Sequence, residues 1–196
     1  MVETQSSPTK SMFESLAKLY KLSQLLLMDA DRLMGERGWE PGHSSAPAEM
    51  SISLNSPFRW YPRWAARFYV PRPREGEDTV VDRVLFVSIH FASDVDTSMK
   101  TEVDEPLISA GRLLYAEPVD LGAIGNFYDY WMCKYWFMTS PHGSLKGWRN
   151  GGPSRLKDYA NLKGNETFVV PLYDIGSSEK LEELVVNPLL TAGVEA

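Results

Sequence analysis

Cysteine is almost missing from this chain of 196 residues. Cys133 is the single one, which excludes an internal disulfide and any zinc site built from several thiolates. Long apolar runs are missing as well. The longest, within LSQLLLMDA at residues 22–30, is broken within a few residues, whereas a bilayer-spanning helix needs roughly 20. No membrane partner is therefore expected. The N-terminal MVETQSSPTK has no basic segment leading into an apolar one, so no secretory leader is read there and the expected location is cytoplasmic. Histidine is scarce: His43, His90 and His142 are far apart and none stands four residues from another, so neither a metal site nor a resident cofactor is expected. Two catalytic signatures fail by single residues. LISAG at 107–111 carries Leu107 where a nucleophile elbow needs glycine, and no glycine–lysine–serine/threonine run exists to make a Walker loop.

What the chain does contain is segregated charge. The formal net charge is −6, yet FRWYPRWAARFYVPRPR at 58–74 sets five arginines and six aromatics into seventeen positions without one acid. Residues 130–157 repeat the bias with Lys134, Lys146, Arg149, Arg155 and Lys157. The acid-free blocks 50–74 and 130–157 hold 10 of the 20 basic groups and 12 of the 23 aromatics, so the rest of the chain is strongly acidic.

Residues 1–10, polar and without periodicity, read as a disordered tail, and 11–196 as a single domain. Ser11 with Glu14 has the form of a capping box, and a helix follows with apolar residues at Met12, Leu16, Leu19, Leu26, Leu27, Ala30 and Leu33. Gly35 or Gly38 can end it. Leu22, Leu25 and Met28 fall off that stripe, so a cover on a second side of the helix is expected, from the chain itself or from another copy. Residues 38–57 are rich in Gly, Pro and Ser and read as a long connection.

Beyond it the period changes to two. Phe58, Trp60, Trp64, Ala66, Phe68 and Val70 share one expected buried face, while Arg59, Tyr61, Arg63, Arg67 and Tyr69 share the other. Further strands are expected over 80–92, with Val81, Leu85, Val87, Ile89 and Phe91 inward and Asp82, Ser88 and His90 outward, and near 106–117, 126–140 and 166–175. A short helix over 177–190 starts at Ser177 or Ser178 and is disturbed at Pro188. Consecutive strands with helices only at the ends predict an α+β fold: about five mainly antiparallel strands between a long N-terminal helix and a short C-terminal one.

Three functional readings follow. The leading one is a non-catalytic module for an anionic partner, single-stranded nucleic acid or a nucleotide. Guanidinium groups would fork onto phosphate and rings would stack on bases. Its residues are Arg59, Tyr61, Arg63, Arg67 and Tyr69 on the strand, with Lys146, Arg149 and Arg155 on the glycine-rich loop PHGSLKGWRNGGPSR. The second is a homodimer or protein partner docked on the N-terminal helix through Leu22, Leu25 and Met28. The third is an enzyme using His90 or His142 with a nearby carboxylate such as Asp82. Asp94, Asp96, Ser98 and Glu105 match four positions of a calcium loop. Met99 takes the place of its turn glycine and Lys100 of a ligand, so no metal is expected. Cys133, with Lys134 on the other face of a strand, reads as an inert thiol.

Overall fold

The computed structural model of the chain describes residues 8–42, 64–72, 80–91, 105–120, 149–150 and 162–191, without the side chains of 119–120, 149–150 and 162–166. It opens with α1 (Pro8–Gly35), whose interior holds no glycine or proline and is rich in Leu, Met, Lys and Ala, all strong helix formers. The helix begins three residues before Ser11, at a proline, which suits a first turn because its missing N–H has no helical acceptor there anyway. Ser11 therefore lies inside the helix, where its carbonyl accepts a hydrogen bond from Ser15 Oγ at 2.9 Å. Gly38 (φ 83°) supplies the left-handed residue after the last turn and swings the chain into β1 (Trp39–Pro41).

The sheet continues with β2 (Trp64–Pro71), β3 (Val80–His90), β4 (Leu107–Asp120), β5 (Arg149–Asn150) and β6 (Leu162–Pro171). Its spatial order is β1-β2-β3-β4-β6-β5, with antiparallel neighbours throughout. This is the α+β arrangement read from the order of elements. The short edge strand β1 lies inside the segment expected to be a plain connection. The expected strand over 126–140 falls outside the described residues. Among the described residues no helix is long and apolar enough to cross a membrane.

After β6 a single 3₁₀ turn (Leu172–Asp174) leads to α2 (Ser178–Leu181), a π-helical stretch (Glu182–Val186) and α3 (Asn187–Thr191). Ser177 caps α2, its Oγ accepting from the Lys180 amide at 3.3 Å. The widened turn has a cause in Pro188, whose ring would collide with the carbonyl four residues earlier. The Asn187 amide instead reaches back five residues to Glu182.

One sheet face and the helices enclose the main core. Tyr69, Leu85, Val87, Ile89, Ile108, Ala110 and Phe168 meet Leu27, Ala30, Leu33 and Met34 of α1 and Leu181, Val185, Val186 and Leu189 of the C-terminal helices. The other face is buried too. Trp64, Ala66, Phe68 and Phe86 lie there, as expected for the first three, but so do Ser88, His90 and Ser109, each less than 5% exposed. The outward role expected of Ser88 and His90 is thus corrected. The sheet has two covered faces, and period-two alternation cannot tell a covered polar residue from a solvated one.

Candidate functional site

Arg67 and Tyr69 stand two residues apart on β2 and point at α1, not at solvent. Arg67 Nε donates to Asp31 Oδ1 at 3.0 Å and its Nη2 to Asp31 Oδ2 at 2.6 Å, a two-pronged fork on one carboxylate. The Tyr69 hydroxyl adds a third bond to Asp31 Oδ1 at 3.0 Å. Asp31 holds the guanidinium above its ordinary pKa, against the opposing effect of burial. Burial, with the Asp31 charge beside it, holds the phenol well above its own. The anionic-partner reading needs the arginine face of β2 open; at Arg67, 9% exposed, that face is the underside of α1.

The rest of the proposed anion site is not brought together among the described residues. Arg59, Tyr61, Arg63, Lys146, Arg155 and His142 lie outside them, as do Asp94, Asp96 and Ser98. Arg149 is placed by its backbone alone, opposite Thr167 on β6. His90 is described, and burial lowers its pKa to about 3, so the imidazole is neutral across the physiological range. Asp82, its suggested partner, sits near the opposite end of β3. Its side chain is 70% exposed and lies against Arg83 at 3.7 Å. Ser88 and Ser109 face each other in register across β3 and β4, and neither hydroxyl has a hydrogen-bond partner among the described residues. Among the described residues no three His, Cys, Asp or Glu side chains converge as metal ligands.

The feature the geometry does assemble lies on the far side of α1 from the Asp31 clamp. Burial within α1 starts only at Ser23, so its first fifteen residues, about 22 Å of helix, carry no buried side chain. Where α1 meets the chain after β6, a groove of about 570 Å³ opens. Leu19, Leu22, Leu25, Leu26 and Met28 form one wall, and Leu172, Tyr173 and Ile175 the other. Leu22, Leu25 and Met28 are 64%, 48% and 57% exposed and Tyr173 is 70% exposed. Leu25 was expected under the loop after Gly38 or under a second copy of the chain; most of that loop lies outside the described residues, and Leu25 is half exposed. The orientation of α1 is held from both flanks. On the groove side Arg32 Nη2 donates to Ser178 Oγ at 2.9 Å, and Arg37 pairs with Glu182. On the other side is the Arg67–Asp31 fork.

On the α1 wall, Leu22, Leu25 and Met28 were legible as apolar residues off the helical stripe. The second wall was not, because ETFVVPLYDI reads as one strand. Its only warning was Pro171, after which the chain leaves the sheet and turns Leu172 and Ile175 toward the helix. Compared with known proteins, the chain matches no family, no curated protein and no solved structure.

Proposed function

We propose that this protein is a non-catalytic interaction module that docks an apolar helix of a protein partner along α1 and the groove beside it. The observation that carries this reading is the contiguous set Leu22, Leu25, Met28 and Tyr173, each about half exposed or more on one wall-to-wall surface. Single exposed apolar residues are ordinary, whereas a contiguous group around a groove marks an interaction site. Full burial of a leucine or methionine contributes about 1.5–3 kcal/mol, so closing over half of three such residues and a tyrosine supplies several kcal/mol toward binding. A helix laid in a groove is the matching mode of recognition. Arg67 and Tyr69, two of the eight residues nominated for an anionic ligand, commit their donors to Asp31, and this favours docking over anion binding.

Anilinonaphthalene sulfonate, an apolar dye that brightens on leaving water, tests the reading at protein dilutions where the chain is a single copy by sedimentation. Saturable binding of about one dye per chain, lost in Leu22→Asp and Leu25→Asp proteins of unchanged circular dichroism, is the expected result. Absence of saturable binding, or equal binding by both variants, counts against the groove.

A further inference from the structure

We infer that the helix docked on this surface is α1 of a second copy of the chain, running antiparallel. The inference rests on the docking reading above and adds the identity and register of the partner.

Ser15, Lys18, Leu22, Leu25, Asp29 and Arg32 recur along α1 at alternating spacings of three and four, the seam along which two helices interlock. A two-fold axis between Leu22 and Leu25 sets Leu22 of each copy on Leu25 of the other. The same operation places Lys18 on Asp29 and Ser15 on Arg32, at both ends of the apolar centre. Such an interface is self-complementary, as two-fold symmetry requires. The parallel arrangement instead stacks Lys18 on Lys18 and Asp29 on Asp29, so charge selects the antiparallel one.

Lys18 is available for this, and Asp29, already hydrogen-bonded to Arg32 and Ser178 of its own chain, supplies the opposite charge. Among the described residues Lys10 is paired with Glu14, Lys21 with Gln24, and Arg32 with Asp29 and Glu36, while Lys18 is exposed and has no ion-pair partner. Asp29 is held below the usual carboxylate range, chiefly by its hydrogen bond with Ser178 and also by Arg32, so it is fully charged at neutral pH. Access is open as well. No side chain is buried in the first four turns of α1, and Ser15, Lys18 and Leu22 are exposed along them. Leu19 and Leu26 flank the seam on the groove side, where Tyr173 stands ready to cover the incoming helix.

The test is a charge exchange read by sedimentation equilibrium of the whole chain. Wild type is expected at the mass of two chains, dissociating on dilution. Lys18→Asp and Asp29→Lys each raise the dissociation constant by about tenfold or more, which is about 1.4 kcal/mol. The double variant recovers most of that loss, because each exchanged charge again meets its opposite. Leu25→Glu, at a half-exposed position that the folded chain tolerates, gives single chains. A wild type that stays a single chain at millimolar concentration overturns the inference, as does a folded double variant no tighter than the singles. A single-chain wild type that still binds the dye in a Leu25-dependent manner removes only the self-partner; one that binds no dye removes the docking reading with it.

Discussion

Removing the carboxylate of Asp31 is the most informative single perturbation of this fold. That group accepts both bonds of the Arg67 fork and the bond from Tyr69, with the Arg67 side chain 10% and the Asp31 side chain 26% exposed. Breaking a buried pair by deleting one partner costs about 3–5 kcal/mol, since the remaining charge stays desolvated. A quarter of Asp31 still sees water, and this screening brings the expected loss for Asp31→Ala to about 2–4 kcal/mol. Asp31→Asn keeps an acceptor and should lose about half as much. Asp31→Leu combined with Arg67→Met replaces the polar triad by apolar volume and should recover most of the loss, because neither charge is then buried. Tyr69→Phe removes one bond and should cost about 0.5–1.5 kcal/mol. Urea unfolding at constant m-value gives each number. The reasoning is refuted by an Asp31→Ala protein that loses less than about 0.5 kcal/mol, the scale of an exposed pair such as Lys10–Glu14. The variant also bears on function, since the clamp sets the rotation of α1 that turns Leu22, Leu25 and Met28 outward.

Other expectations are quicker to check. His90 in the folded chain titrates near 3, below its unfolded value of about 6.5, so the unfolded state takes up the proton first. The stability is full above pH 6.5 and is lost as the pH falls, at about 1.4 kcal/mol per unit, or about 2 kcal/mol by pH 5. His90→Phe should flatten the stability profile between pH 6.5 and 5, and an unchanged slope there contradicts the assignment. Ser88→Ala and Ser109→Ala delete buried hydroxyls that have no partner among the described residues, so denaturation should find them neutral or more stable by about 1 kcal/mol. Ser177→Ala removes the cap of α2 and should cost about 1 kcal/mol in thermal unfolding, whereas Ser177→Asp, which keeps a capping acceptor, should cost almost nothing. Leu25→Asp should leave the melting temperature of the single chain unchanged, since the residue is 48% exposed.

Much of the architecture was legible because it follows from local periodicity. The apolar stripe of α1, the two-residue alternation of β2 and β3, and the serine cap and proline disturbance of the C-terminal helix each depend on near neighbours. What was not legible depends on partners distant in sequence. Nothing near Arg67 announces Asp31, 36 positions earlier, so an arginine face that closes under a helix looks the same as one that waits for phosphate. Ser88 and His90 were read as outward because polarity was the only local cue, while a second covered face is a tertiary property. Leu22, Leu25 and Met28 were found as anomalies of the helical stripe. Their open groove was not, because its second wall comes from residues 172–175.

Hydrogen exchange along α1, followed at low and high protein concentration, tests the central claim most directly. Residues 8–22 form helix with no buried side chain of their own, so alone they should open readily and exchange fast. If α1 is the docking element, amides 15–22 gain protection as the concentration rises, in step with the solution mass, and Leu25→Asp abolishes the gain. Exchange of these amides that is the same at every concentration, in wild type and variant alike, contradicts the account.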